Sequence, residues 1–401
     1  MIPLYAVVLP VLVLFCGLSI DIGMLELKKL QMQSATDAAA LGAELEAERG
    51  TNNWVNIGIA EAGVNGFTNG SNNTTVSIVE QATSGAYNGR YDAIQATITQ
   101  SVNTIFMGAF NGGKFTLTTQ SSALMTPCVY TLGNGTLQNQ SLEVYTGSLL
   151  GDSCPIYATT LDDESSGNIA VESVDISGSS STSMVGGFVY PSPVYNVPTL
   201  TDPLASTASP TAFNGTCNHT SYSITSGSAT LNPGNYCKGL NISNATVTLN
   251  PGLYTITGGA SWSGATVSGT GVTLFFTTGG GGGYGQLLVL SGSTVTLSAA
   301  NDSSTGTIPA TPAILVFADR NWTTTAAQDF QVRNSSFTGD GIWYIPKAGL
   351  NVWSDTAFTG TNYLGIVADN LFTGGTQIKL LNNYSYITTG NPFRKLGTLV
   401  Q

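Results

Sequence analysis

Hydrophobic positions change their period twice along this chain. From Ile2 to Ile20 they form an unbroken run, IPLYAVVLPVLVLFCGLSI, and the first charge is Asp21. As a helix such a run reaches roughly 30 Å, the thickness of a bilayer's hydrocarbon core. Helical spacing continues through Met24, Leu27, Leu30, Ala35, Ala38 and Leu41, with Glu26, Lys28, Lys29, Asp37 and Glu44 interspersed. One helix is therefore expected over residues 1–49, apolar all round at first and amphipathic afterwards, with a kink at Pro10. Propensity alone does not stabilise an isolated helix of this length, so its apolar half needs lipid or copies of itself. The side chains assigned to that contact are Ile2, Leu4, Val7, Leu9, Val11, Leu14, Leu18, Ile20, Met24, Leu27, Leu30, Ala38 and Leu41. The small residues Ala38, Ala39, Ala40, Gly42 and Ala43 would let neighbouring backbones approach closely. A plain membrane anchor that never assembles is the alternative. A secretory signal peptide fits less well, since a basic n-region and a small-residue cleavage site are absent.

Residues 50–126 read as a small α/β unit. A helical stretch at Trp54–Phe67 precedes the alternating strands TTVSIVEQ and YDAIQATITQ, a short apolar helix near Ile105–Phe110, and the strand KFTLTTQSSALM. Beyond residue 126 the helical period vanishes, and short β-prone runs alternate with Gly, Asn and Ser turns. LNPGNY at Leu231–Tyr236 recurs as LNPGLY at Leu249–Tyr254, and NATVTL, GATVSG and STVTL echo one another. A repeat of about 18 residues is one coil of a β-solenoid, with VTLFF, PAILVFAD, GIWYIP and YLGIVAD as rung strands. A β-sandwich also uses short strands and turns, but here the repeat lies in the residues themselves. The expected organisation is a β-rich segment at 127–210, ending in a Pro-rich surface connection from Tyr190 to Pro210, then a parallel β-helix over 211–401. The fold class is α+β.

Charged residues are only 9% of the chain and its formal net charge is −11, with no Lys or Arg between Lys114 and Lys238. A nucleic-acid partner would meet repulsion rather than counterion release. Cys16 lies in the apolar run, whereas Cys128, Cys154, Cys217 and Cys237 lie in Gly/Ser/Thr-rich sequence. Four cysteines allow three pairings. Pairing near neighbours joins Cys128 to Cys154 and Cys217 to Cys237, which implies an oxidising compartment; four reduced, buried thiols are the alternative.

Chemistry is sparse. Long β-solenoids can carry polysaccharide-cleaving sites, which gather carboxylates and a basic group on one face. Here Asp162, Asp163 and Glu164 sit in a loop without a basic neighbour, and Asp319, Asp329, Asp340, Asp355 and Asp369 are spread over rung ends as turn residues. His219 has no partner histidine, Gly279–Gly283 lacks the lysine and helix of a phosphate cradle, and G-x-S-x-G does not occur. Trp262, Tyr284, Trp322, Trp343, Tyr344 and Trp353 either pack in the core or form an exposed strip for a glycan or protein. No catalytic, cofactor-binding or metal site is assigned, and a non-enzymatic protein is expected.

The first 45 residues resemble the amino-terminal segment of the tight-adherence (Tad) pilus proteins of the TadE/TadG-like kind. An apolar helix runs into an A-x-D-x-G-like element, here Ser19, Asp21 and Gly23. A Q-x-A-x-D-A-A-A-L-A motif follows, here Gln33, Ala35, Asp37, Ala38, Ala39, Ala40 and Leu41. The blocks at Ile105–Ala123 and Cys217–Ile256 resemble TadG-like proteins with a β-solenoid. The resemblance implies a pilin-like helix followed by a pilin-like α/β domain, insertion in the inner membrane before assembly, and a homo-oligomeric extracellular filament. A membrane-anchored pilus accessory protein or a monomeric adhesin for surface glycans is the second reading. Type IV pilins carry Glu at the fifth mature position where this chain has Tyr5, and the absence of a basic residue before the apolar run leads us to expect prior removal of a leader.

Overall fold

The computed structural model describes residues 2–85, 87–107, 114–133, 141–151, 153–162, 166–179, 187–211, 215–302, 306, 308–322, 329–394 and 399–400, the side chains of 2–11 and 399–400 excepted. The chain divides into two units, residues 1–125 with 396–401, and residues 126–395.

In the first unit the apolar and amphipathic stretches form one uninterrupted helix, α1 (Ile2–Glu48), which continues through Pro10. A second helix, α2 (Trp54–Val64), stops short of Phe67. The three alternating segments become the antiparallel strands β1 (Thr74–Glu80), β2 (Ala93–Asn103) and β3 (Lys114–Leu124), and Leu399–Val400 adds a fourth strand beside β3. Their period of two turns Val76, Ile78, Ile94, Ala96 and Ile98 onto Met32, Ala35, Ala39, Ala40 and Ala43 of α1 and Ala62 of α2. The short helix expected at Ile105–Phe110 is absent from its described part: Ile105–Met107 is a bend, and 108–110 lie outside the described residues.

The second unit is a parallel β-helix of three faces: the first contains Gly252–Thr257 and Val272–Thr277, the second Ala260–Ser263 and Leu287–Leu290, and the third is an unbroken sheet of 10 strands that contains Ala245–Leu249 and Thr266–Thr270. The LNPG-x-Y repeat has a local cause. The hydroxyls of Tyr236 and Tyr254 donate to the carbonyls of Asn232 and Asn250, both at 2.8 Å, and the Asn250 amide donates to Asn232 Oδ1 at 2.7 Å. Each Asn-Pro-Gly corner is thus tied to its own tyrosine and to the corner of the next coil. Gly252 cannot be replaced at its corner. Its φ is +136°, and a Cβ there would lie 2.8 Å from Ile308 O and from Pro233.

Coil order does not follow chain order. Numbered along the stack, coils 1 to 7 run from His219 to Leu380. Coil 7 then pairs with Val129–Thr131, Leu142–Val144 and Thr146–Gly151, the first strands of the unit in sequence. Two more coils follow, through Ile156–Val171 and Val174–Tyr190. The β-helix therefore includes most of the segment that sequence reasoning set apart as 127–210. Local strand patterns say which face is buried but not which strand is the neighbour, so this could not be read from the repeats. One inward column runs through all ten coils: Ala229, Val247, Val267, Val295, Phe337, Phe358, Ile378, Leu149, Ile169 and Val189.

From coil 10 the chain must return to coil 1, nine steps of about 4.8 Å away. Residues 196–218, extended, reach well past that distance. The described residues 196–211 run along the outside of the first face, where Leu204 is fully buried among Phe275, Phe317, Tyr344 and Tyr157. Arg320 fastens this strap. Its guanidinium donates to the carbonyls of Leu204 at 2.7 Å and Thr207 at 2.8 Å, to Ser209 Oγ at 2.9 Å and to Tyr344 Oη, while Tyr344 donates to Asp202 at 2.7 Å. The proline-rich connection therefore closes a second apolar layer. Leu204 of the strap together with Tyr384, Ile387 and Phe393 from the segment after coil 7 cover this face, and strands Gly252–Thr257, Val272–Thr277, Ile314–Ala318, Gly341–Ile345 and Leu364–Ala368 are buried on both sides.

The disulfides are Cys128–Cys154 and Cys217–Cys237, with Cα–Cα distances of 5.6 and 5.8 Å, joining adjacent coils. The Gly279–Gly283 segment is a tight turn closed by reciprocal main-chain hydrogen bonds between Gly279 and Gly282 at 3.0 and 2.9 Å.

Candidate assembly face of the amino-terminal helix

The covered residues of α1 fall on one stripe. Gly17, Asp21, Leu25, Lys28, Met32, Ala35 and Ala39 are buried or half-buried and lie three or four positions apart, the spacing of one helix face. At the far end of the stripe the motif residues do the fastening. Gln33 donates to Asp37 at 2.8 Å and to the Gln120 carbonyl of β3 at 3.2 Å, and Thr36 and Thr119 share a hydroxyl contact of 2.6 Å. Small side chains let α2 lie close: a Cβ on Gly58 would be 3.0 Å from Ala43, and one on Gly42 would be 2.6 Å from Glu61. The small-residue stretch is thus occupied by a neighbour from the same chain, where sequence reasoning had offered it to another copy.

At the near end the contact is a latch. The carboxylate of Asp21 accepts main-chain N–H bonds from Ile105 at 3.0 Å, Phe106 at 2.7 Å and Met107 at 2.6 Å. Burial pushes the Asp21 carboxyl up, but the three donors outweigh it and hold the group below the usual carboxylate range. Beside it the Phe106 ring lies on the helix backbone at Gly17, where any Cβ would be 2.4 Å from ring atoms. Asp21 and Gly23 stand out in the sequence through the resemblance to the A-x-D-x-G-like element. Gly17, which lies outside that element, is the glycine that the packing requires, while Gly23 has open space around it. Ser19 only returns a hydrogen bond to Phe15 O, at 2.9 Å.

The rest of the helix surface between residues 12 and 30 is uncovered and mostly apolar, with Ser19, Glu26 and Lys29 the exposed polar exceptions. Leu12, Val13, Leu14, Phe15, Ile20, Ile22, Met24, Leu27 and Leu30 are exposed, Leu30 to 69% and Phe15 to 62%. Of the residues named from sequence, Leu14, Ile20, Met24, Leu27 and Leu30 lie on this surface, Leu18 is half-buried at its edge, and Ala38 and Leu41 are half-buried further along the helix. Ile2, Leu4, Val7, Leu9 and Val11 have side chains outside the described residues. Among the described residues no helix is long and apolar enough to cross a membrane.

The other candidates do not converge. Trp262, Trp343 and Tyr344 are in the core, Trp322 is 5% exposed, and Trp353 lies 3.9 Å under the Arg333 guanidinium. His219 stacks on Tyr236 and lies tilted against Tyr222, at centroid distances of 4.8 and 4.4 Å. Asp319, Asp329 and Asp340 each accept hydrogen bonds from nearby turns. Asp162 is buried, and Asp163 and Glu164 lie outside the described residues. Among the described residues no three His, Cys, Asp or Glu side chains gather as metal ligands.

No curated protein and no solved structure matches this chain. One family model does, putative Flp pilus-assembly TadE/G-like, over residues 1–47, the span of α1. The latch, the motif contacts and the uncovered apolar face all lie on that helix, and residues 1–47 of the chain are a TadE/G-like pilus-assembly domain.

Proposed function

We propose that this chain is a structural subunit of an extracellular pilus-like filament, held in the inner membrane before assembly and polymerised through α1, with the β-helix displayed outside for adhesion. The observation that carries this reading is the uncovered apolar surface from Leu12 to Leu30, on the helix that the pilus-assembly family model matches. Magnitudes permit association. Fully covering one such side chain stabilises by up to roughly 1.5–3 kcal/mol, so a handful covered by a neighbouring helix is comparable to the roughly 4–15 kcal/mol lost in joining two bodies. A structural rather than catalytic role is in keeping with Asp319, Asp329 and Asp340, which accept hydrogen bonds from neighbouring segments.

The second reading, a membrane-anchored accessory protein or monomeric adhesin, draws on a groove of about 440 Å³ lined by Asn301, Asp302, Asp340, Asn362, Tyr363 and Tyr386, a size and chemistry suited to a surface glycan. Negative-stain microscopy of sheared surface material from cells producing Leu27→Glu/Leu30→Glu separates the two. The filament reading expects fibres from the unaltered chain and none from the variant; fibres from neither would leave the adhesin reading standing.

A further inference from the structure

The third face of the β-helix carries an order that neither the helix nor the strap explains. Its outward positions form two adjacent columns. One runs Ser228, Thr246, Thr266, Thr294 and Ser336, each the Cα partner of the next. The other runs Thr230, Thr248, Ser268, Thr296, Thr338 and Thr359. Between them lies the buried column from Ala229 to Phe358, so in most coils the strand reads Thr or Ser, apolar, Thr or Ser.

Four properties make this more than the usual threonine of an exposed strand. First, the face is regular: its pairings hold register throughout, whereas the first face shifts at Ile314/Val316 and its corner with the second at Thr220/Tyr222. Second, it is open. Thr230, Thr246, Thr248, Thr266, Thr294, Thr296 and Thr338 are exposed, and among the described residues none of the array's hydroxyls is engaged by a protein group. Third, no charged residue occurs in these strands until Lys379 in coil 7, where the columns end in Gln377 and Lys379. Fourth, the second face lacks any such order, its outward column reading Asn241, Ser261, Leu288, Gln331, Asn351, Phe372 and Glu143.

A flat grid of hydroxyl and methyl groups, repeating at about 4.8 Å along the stack and roughly 6.6 Å across it, has a specific complement. A crystalline polysaccharide would call for aromatic platforms or carboxylates, and the grid has neither. An ordered water lattice repeats on the same scale, accepts from and donates to hydroxyls, and in ice its molecules are already ordered before they surround a methyl group. Threonine is suited to the task because its β-branched side chain holds few rotamers on a strand, so little freedom is lost on contact.

We propose that this two-column array is a binding face for ice. The proposal concerns the β-helix alone and stands whether or not α1 polymerises. It is tested by ice partition of the fluorescently labelled full-length chain in detergent micelles, with an inert labelled protein in the same micelles as reference. The unaltered chain should enter slowly growing ice at least tenfold more than the reference. Thr248→Lys/Thr266→Lys/Thr296→Lys should be excluded like the reference while its circular dichroism is unchanged, and Asn241→Lys on the second face should partition as the unaltered chain does. Exclusion of the unaltered chain, or full partition of the triple variant, would overturn the proposal, as would loss of binding to powdered chitin or cellulose in the triple variant without any ice partition.

Discussion

The side-chain amide of Asn382 donates to the main-chain carbonyl of Thr126, 3.3 Å away and 256 positions earlier in the chain, and to that of Ser153 at 3.1 Å. Thr126 is where the chain enters the β-helix and Asn382 is where it leaves coil 7. The bond therefore marks the joint at which the last coil in sequence is laid on the first. Asn382 is 3% exposed, so its partners would lose their donor without gaining water. Asn382→Leu should cost about 1–3 kcal/mol, with faster amide exchange in Val129–Thr131 and Leu364–Ala368 than in coil 3. Uniform exchange across all coils would refute a local joint.

The Asp21 latch should be sensitive to acid. The folded-state carboxyl lies below its ordinary value of about 3.9, so the stability it contributes is fully present above that value and is lost as pH falls through the folded pKa. Amide exchange at Ile105, Phe106 and Met107 should be slow at pH 7 and accelerate in strong acid. In Asp21→Ala it should be fast at both. Protection in that variant at pH 7 would show that the latch is held by something else.

Gly17 should tolerate no side chain. Gly17→Val drives two methyl groups into the space of the Phe106 ring and should release Ile105–Met107, seen as loss of the same amide protection with α1 helicity retained. Gly23→Ala, with open space around it, is the matched control and should change nothing in that readout.

Arg320 should be the clasp of the strap. Arg320→Ala removes the donors to Leu204, Thr207 and Ser209, leaving Tyr344 and Asp202 to hold one another. Limited proteolysis should then cut between Val197 and Thr211 at least tenfold faster, with a stability loss of about 2–3 kcal/mol. Arg320→Lys, which cannot serve these acceptors together, should behave nearly as badly.

The Cys217–Cys237 bond spans 20 residues, and a loop of that size stabilises by about 3 kcal/mol. Cys217→Ser/Cys237→Ser should lower the denaturation midpoint of the β-helix accordingly and expose His219–Ile224 to exchange. An unchanged midpoint would mean that coils 1 and 2 are held by packing alone.

What the sequence determined by itself is what short-range periodicity can encode. An apolar run continuing into a 3.6-residue stripe specifies α1, and alternation specifies β1 to β3. The recurrence of LNPG-x-Y specifies coils with a tyrosine at each corner, because the tyrosine and the carbonyl it binds are four residues apart. Near-neighbour cysteines similarly join adjacent coils. What only the tertiary structure decided involves partners distant in sequence. The laying of Val129–Thr131 on Leu364–Ala368 is one such choice, since many strands carry the same inward pattern and pattern does not name a neighbour. The donors from Ile105–Met107 to Asp21 are another, as is the conversion of a proline-rich connection into the cover of an apolar face. The hydroxyl columns belong here too: each strand contributes two ordinary threonines, and only their stacking in register makes them a surface.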